Sequence, residues 1–341
     1  MAEKRLRIAT YNVEWFHALF DDDGRVLSDN QWSARQNVTR REQVEALTTV
    51  FRAMDADAVM VVEAPDISRH RNGAVALANF AQAAGLRARE VCFGFANDTQ
   101  QELMLLYDPD VITAKHDPVE LGAPRFDGQY RIDLDVDATE DVVEFSKPPL
   151  EMRLETPLGP MRMIGVHVKS KAPHGARDAD HAMKIAISNR RKQLAQCIWL
   201  RRRIEAHLGE GAPLIVLGDL NDGPGLDIYE ELFGRSGVEI VMGWGDGNDR
   251  LMFDPHAAKA LERRIVAAPT TARFYIASEG RYLSALLDYI FVSPDLRGAA
   301  RRWRVWHPFE DPGCWEDEAL RDALLTASDH FPVTLDLSLA G

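Results

Sequence analysis

At six places along the chain, side chains bearing oxygen or nitrogen stand at or near the end of an apolar run. Asn12 closes "RLRIATYN" and Glu63 closes "DAVMVVE". His167 lies in "MRMIGVHV", Asp219 and Asn221 follow "APLIVLG", Asp288 stands inside "LLDYIFVS", and Ser328-Asp329-His330 precedes "FPVTLDLSL". Each has an ordinary explanation alone: Asp, Asn and Gly together make turns, and a lone strand-end Glu is usually just solvated. As a set they share one chemistry, made of carboxylates, amides and imidazoles without a cysteine. Carboxylate and amide oxygens suit a hard divalent cation such as Mg2+, Mn2+ or Ca2+ rather than structural zinc. Asp219 and Asn221 are two apart, so continued strand geometry points both the same way.

The elements that must position these groups are legible as periodicities. "RLRIATYN" alternates with period two, which sets Leu6, Ile8, Thr10 and Asn12 on one face. Residues 35–54 have helical spacing, 58–63 form a buried strand, 74–84 a short helix, and "ELMLLYDP" another strand. Strands follow at "YRIDLDV", "DVVEF", "LEMRLET" and "MRMIGVHV", the last two joined as a hairpin by "PLGP". Residues 179–208 carry the longest helical pattern, "APLIVL" is a buried strand, and 226–233 read as a short helix. "SALLDYIFVS" reads as one strand and "RWRVW" as another, 316–326 as a helix, and "FPVTLDLSL" as the last strand. Hairpin-linked strands break the strict βαβ rhythm of a parallel sheet, so two packed sheets with helices outside are expected. Strand ends are where side chains from several strands converge on a ligand. No repeat, linker or composition break divides the chain, so one domain over residues 5–338 is expected. Residues 17–34, 169–180 and 242–272 read as surface loops, the last with Trp244, Asp246, Asp249 and Arg250.

A chain of 341 residues buries a large core without staples. Cys92, Cys197 and Cys314 are far apart, which excludes a disulfide framework or zinc site and fits a reducing compartment. "MAEKRLRIATYN" shows no signal peptide and no run reaches membrane-span length, so the expected location is cytoplasmic. A net charge of −13 argues against coating nucleic acid by bulk electrostatics. The charge is uneven, however. Lys169–Arg203 holds ten Lys/Arg against two Asp, whereas Asp108–Glu144 holds eleven Asp/Glu against three Lys/Arg.

"IATYNVEWF", "VMVVEAPD", "GVHVKSK", "VLGDLND", "LLDYIFVS" and "SDHFPV" follow in this order from Ile8 to Val333. This set resembles the endonuclease/exonuclease/phosphatase superfamily, which includes DNase I-like nucleases, abasic-site endonucleases, neutral sphingomyelinases and inositol-polyphosphate 5-phosphatases. "FSKPPLEMRL" is similar to the RPPL strand of bacterial members, with Lys147 where Arg is frequent. The resemblance implies a four-layer α/β sandwich, two packed mixed sheets flanked by helices, with the site at one edge.

It also implies roles. Asn12 and Glu63 hold the metal, joined by Asp329. Asp219 orients or deprotonates the attacking water, and Asn221 holds a phosphate oxygen. His167 serves the phosphoryl or leaving oxygen, Asp288 supports the metal side or the phosphate, and Asp329 orients His330, which contacts the scissile phosphate. Lys169 and Lys171 bind substrate. Arg190, Arg191 and Lys192 extend that patch, and most of Arg201–Arg203 is expected in solvent. Val62 stands where the family often has Gln, and Asn97, Asp98 and Tyr107 are candidates for a further ligand. His167 groups the chain with DNase I-like and sphingomyelinase-like members, since abasic endonucleases use tyrosine there. The expected activity is metal-dependent hydrolysis of phosphodiesters by in-line attack of water, as a nuclease or nucleotide phosphodiesterase. The alternative is a phosphatase or phosphodiesterase of a small-molecule or lipid-headgroup ester, sphingomyelinase- or inositol-phosphatase-like.

Overall fold

Strands that are apolar on both faces need cover on both sides, and this requirement produces four layers. The computed structural model describes residues 4–99, 101–133, 141–173, 175–223, 234–245, 247, 250–262, 269–276 and 280–339. One sheet holds β1 (Lys4–Asn12), β2 (Ala58–Ala64), β3 (Glu90–Phe93), β4 (Glu102–Tyr107), β14 (Ala300–Val305) and β15 (Val333–Leu339), in the order β14-β15-β1-β2-β4-β3. The other holds β5 (Thr113–His116), β8 (Leu150–Thr156), β9 (Gly159–His167), β10 (Leu214–Asp219) and β13 (Asp288–Val292), in the order β13-β10-β9-β8-β5. Each is mixed, with one parallel pair, β1 with β2 and β9 with β10. Two small hairpin sheets, β6 (Tyr130–Ile132) with β7 (Asp141–Val143) and β11 (Ala272–Ile276) with β12 (Arg281–Ala285), flank them.

Alternation along each strand divides the core. Leu6 and Ile8 of β1 enter the central core, where Met60 and Val62 meet Met152, Met163, Ile215 and Ile290 of the other sheet. Ala9 and Tyr11 face outward, under α1 (Arg40–Met54), α2 (Gly73–Ala83) and α7 (Glu318–Ala327). On the far side, Ile164, Val166, Val216 and Phe291 pack under Trp199, Leu200 and Ile204 of α3 (Ala179–Gly209), with Val238 and Val241 of α4 (Gly237–Met242). The other α-helices among the described residues are α5 (Pro255–Leu261) and α6 (Pro312–Glu316), with one 3-10 turn at Phe16–Leu19. No described helix is long and apolar enough to cross a membrane.

Local chemistry accounts for departures from the expected elements. The helix expected from residue 35 starts at Arg40, because Thr39 and Glu42 form a reciprocal capping box. "SALLDYIFVS" is two strands, broken at Leu286-Leu287. The Thr271 hydroxyl accepts the Leu287 and Asp288 N–H groups there and takes the chain out of one ladder into the other. The short strands β3, β5 and β11 carry no strong alternation and were not expected. The helix expected at 226–233 lies outside the described residues, as do Asp246 and Asp249.

The arginine run on α3 corrects the expectation of solvent. Arg201 and Arg203 are buried, and only Arg202 is exposed. Arg203 pairs with the buried Glu151 and donates to the carbonyls of Leu121, Ala123 and Pro124, clamping the 121–126 loop. Arg201 donates to the carbonyls of Val241, Met242 and Arg250. Arginine's fork satisfies several carbonyls at once, which makes such burial tolerable. Arg203→Ala leaves the buried Glu151 with only the Val119 N–H and His207 nearby, and is expected to cost about 3–5 kcal/mol. Arg202→Ala is expected to cost less than about 0.5 kcal/mol. Denaturant titration of both variants checks the contrast.

Candidate active site

Strand register sets the site. His167 pairs with Asp219 across β9 and β10, and Asp219 pairs with Asp288 across β10 and β13. Residues directly opposite one another share a face, so imidazole and carboxylates stand in one row at the sheet's end. Gly218 makes the row possible. It has φ +134°, and a Cβ there would lie 2.1 Å from the Val166 carbonyl oxygen. The other sheet brings Asn12 at the end of β1 beside Val62. The next residue, Glu63, falls at an irregularity between Val62 and Ala64 and adopts φ 60°. A non-glycine residue held left-handed stores strain of about 1–3 kcal/mol, a feature concentrated at functional sites.

Asp219 is the hub. Its Oδ2 accepts from Asn12 Nδ2 at 3.1 Å and from Asn221 Nδ2 at 3.2 Å, and its Oδ1 accepts from the Asn221 N–H at 2.7 Å. Strand geometry does not continue to Asn221, whose φ is 49°. The chain turns back instead, and Asn221 Nδ2 also donates to the Val168 carbonyl at 3.0 Å. Both amide hydrogens thus go to protein acceptors, and the side chain fixes the carboxylate. The turn is anchored behind by buried Asp222, which binds Lys171 at 2.7 Å and Arg190 at 2.8 Å.

His330 Nδ1 meets Asp288 Oδ2 at 2.7 Å. The orienting carboxylate expected from Asp329 is therefore supplied by Asp288. Consecutive residues of an extended segment point apart, and Asp329 Oδ1 comes no nearer than 4.0 Å to His330 Nε2. Ser328 ties the end of β1 to the turn that carries His330. Its hydroxyl donates to the Asn12 carbonyl at 2.8 Å and accepts the His330 N–H at 3.1 Å.

Proton affinities follow from this packing. Burial raises the pKa of Asp219, and the neighbouring Asp288 raises it further. Burial likewise raises Glu63, opposed by Lys147 and by the Trp15 N–H, which donates to Glu63 Oε2 at 3.1 Å. Burial disfavours charge on His330, but Asp288, with Asp219 and Asp329 behind it, outweighs burial and lifts its pKa well above the usual histidine range. His167 goes the other way. Burial and then the Lys147 ammonium, 3.2 and 3.3 Å from its two ring nitrogens, hold it neutral. Two histidines in one site are thus set in opposite charge states.

These groups open onto a cleft of about 600 Å³. Asn12, Glu63, His167, Lys169, Asp219, Asn221, Asp329 and His330 line it, with Asp288 buried behind His330. Lys171 is not in the lining, since its ammonium is engaged by Asp222. Arg190 is buried on Asp222, and Arg191 binds Asp141 at 3.0 Å. Tyr107 lies at the opposite end of its strand, since it pairs with Ala58 whereas Glu102 pairs with Ala64. Asn97 is spent on the Glu102 carboxylate at 2.7 Å, and Asp98 is exposed outside the lining.

The sequence reading missed Lys147, Glu14, Trp15 and Phe274 as lining residues. For Lys147 a signal existed. The hairpin pairs Thr156 with Gly159 and Leu150 with Gly165, and continuing that register sets Pro148 opposite His167.

The donor set fits a divalent cation. Asn12 Oδ1 and Asp288 Oδ1 are buried oxygens without a hydrogen-bond partner. Asp219, Asp288 and His330 form a cluster in which one ligand-type atom of each lies within 4.8 Å of the others. Metal ligands must be deprotonated, however, and His330 is bonded to Asp288 and holds its proton. The Asn12 and Glu63 side of the cleft therefore suits a cation better.

The endonuclease/exonuclease/phosphatase family profile matches residues 9–330. The chain belongs to this family. It is a phosphoester hydrolase with the DNase I-like fold. Among solved structures, an endonuclease/exonuclease/phosphatase family protein from Bacteroides thetaiotaomicron is 15% identical, with a TM-score of 0.50 and 100% of both chains covered. Truncated TDP2 from Caenorhabditis elegans is 12% identical, with a TM-score of 0.51 and 98% of each chain covered. At such identities the likeness is one of fold. No curated protein matches the sequence.

Within this family member the Asp288–His330 pair makes a sharp prediction. In the metal-free protein His330 stays protonated through neutral pH. In Asp288→Asn burial acts unopposed by that carboxylate, and the imidazole titrates well below its wild-type pKa. NMR titration of the His330 ring, assigned with His330→Gln, checks this.

Proposed function

We propose that this hydrolase cleaves phosphodiester bonds of nucleic acid or nucleotides by in-line attack of water, with a divalent metal, Mg2+ first and Mn2+ or Ca2+ as alternatives. The observation that carries the reading is the buried Asp219 carboxylate. Asn12 and Asn221 hold it, its proton affinity is raised, and the Asp288–His330 pair lies in the same cleft. A carboxylate in that state can take a proton from water, worth roughly 10²–10⁴-fold in rate. The protonated His330 offers an N–H and a positive charge to the phosphoryl oxygens as negative charge develops, often the largest contribution. Lys147 and Lys169 hold the phosphate. Neutral His167 is set to hydrogen-bond the phosphoryl or leaving oxygen. Asn12 and Glu63, with Asp329 at the rim, would hold the metal, which when bound neutralises the phosphate and orients its oxygens, worth several kcal/mol. The family in general works with divalent metals.

The acidic 108–144 segment does not oppose an anionic substrate. Asp108 and Asp110 pair with Arg87 and Arg89, Asp117 with Arg162, Asp127 with Arg125 and Asp141 with Arg191. None of its described residues lines the cleft. We further propose a single domain over residues 5–338, since both large sheets supply the cleft, and a cytoplasmic location, which suits three buried free cysteines.

The test is hydrolysis of supercoiled DNA, RNA, a phosphomonoester, sphingomyelin and bis-(p-nitrophenyl) phosphate by the full chain. EDTA is expected to abolish turnover and Mg2+ or Mn2+ to restore it; full activity in EDTA overturns the metal reading. Asp219→Ala is expected to lower kcat by about 10²–10⁴. Lys147→Ala is expected to weaken substrate binding and to raise the His167 pKa, visible by NMR. Added salt should inhibit cleavage of DNA steeply but barely touch the small diester.

A further inference from the structure

Four exposed aromatic side chains form one connected strip beside the cleft. Tyr275 and Tyr282 meet across the β11–β12 hairpin with ring centroids 5.2 Å apart. The Arg273 guanidinium lies 4.5 Å from the Tyr282 ring and 5.7 Å from the Phe309 ring. Phe309 then meets Trp315 at 6.3 Å. These rings are 48%, 57%, 44% and 53% exposed in the order Tyr275, Tyr282, Phe309, Trp315, unusual for so many large aromatics in one patch. No described carboxylate pairs with Arg273, whose charge rests on ring faces instead.

The strip is continuous with the catalytic cleft. Arg273 N–H donates to the Asp329 carbonyl at 2.7 Å, and Ala272 bridges to His330. Phe274, one residue on and so on the opposite face of the strand, lines the cleft itself.

We propose that the outer face of this hairpin is a stacking platform for single-stranded nucleic acid, along which the substrate chain leaves the cleft; this rests on the reading of the site as a nucleic-acid phosphodiesterase. Exposed ring faces accept any base, since every base has a π face. Arg273 adds a cation that stacks on a base or meets a phosphate. Duplex DNA hides its base faces and cannot use such a surface. Trp315 is flanked by Glu316, Asp317 and Glu318, which repel phosphates. The working part is therefore Arg273 with Tyr275, Tyr282 and Phe309. A membrane surface is the other occupant that exposed aromatics suggest, but the residues joining the two strands, 277–280, read Ala-Ser-Glu-Gly, and a lipid-inserting hairpin does not carry Glu at that point.

The test is fluorescence anisotropy of a short labelled oligothymidylate with the full chain in EDTA, beside a matched duplex and phosphatidylcholine vesicles. The single strand is expected to bind more tightly than the duplex. Tyr282→Ala and Tyr275→Ala are expected to weaken it on the order of tenfold each, while Tyr282→Trp, which keeps a planar face, retains binding. Hydrolysis of bis-(p-nitrophenyl) phosphate, too short to reach the strip, should be unchanged in all three variants. Wild-type affinity in Tyr282→Ala, duplex bound as tightly as single strand, or binding to vesicles in place of the oligonucleotide overturns the platform. Failure of the wild type to hydrolyse the small diester with Mg2+ or Mn2+ would instead overturn the catalytic reading and leave the anisotropy result standing.

Discussion

Asp219 and Asp288 are opposed on adjacent strands and almost wholly buried, at 1% and 2% exposure. Two like charges out of water are costly unless each is paired and hydrogen-bonded. Much of what surrounds them answers that cost. Asn12 and Asn221 supply donors to one carboxylate, and His330 supplies a proton and a charge to the other. The pair's own field lifts His330 into its cationic state. One oxygen on each of Asn12 and Asp288 is left buried without a hydrogen-bond partner, so the compensation within the described residues is incomplete.

That arrangement demands both sheets. Asn12 and Glu63 arrive on β1 and β2, and His167, Asp219 and Asp288 on β9, β10 and β13. The sheets meet through a methionine-rich central core, where Gly165 leaves room for Met60; a Cβ on Gly165 would lie 2.4 Å from that side chain. Pinning is local. Ser328 bonds β1 to the His330 turn, Thr271 holds the entry to Asp288, and the Tyr289 hydroxyl donates to the Asp222 carbonyl. The Lys171–Asp222–Arg190 network belongs to this pinning. Its cations stabilise the turn that presents Asn221, which explains why part of a basic stretch lies inside the protein rather than along a binding face.

The polar strand ends were legible because their residue types are unusual after apolar runs. Periodicity located all but the short β3, β5 and β11 and the break between β12 and β13 among the described strands, and the ladder that joins β8 to β9 was visible in "PLGP". What alternation could not give was the partner of a polar group. Asp329 adjoins His330 in the chain, yet the bond goes to Asp288, forty-two residues away in sequence. Arg201 and Arg203 look like solvated charge until the carbonyls of distant loops are placed over them. Lys147 was visible only as a residue of a strand, since its importance lies in the register of the next strand. For Asp288 and the two arginines the missing information was a long-range contact, which local pattern does not encode; for Lys147 it was the hairpin register carried two residues past Leu150.

An acidic protein that handles an anionic ester must place its few cations well. Lys147 shows how this is done here. Burial lowers its pKa and so opposes its charge, while Glu63 and Asp219 support it. Its ammonium keeps His167 uncharged, so one lysine both adds positive charge to the cleft and prevents a second cation from forming beside it. With His167 held neutral and His330 charged, the imidazoles are set in opposite states by their surroundings, and the raised Asp219 carboxylate titrates near neutral pH. Arginine at this position would carry its charge regardless of burial. Lysine is the residue whose charge depends on Glu63 and Asp219, so the strength of this cation is tied to the carboxylates of the same cleft.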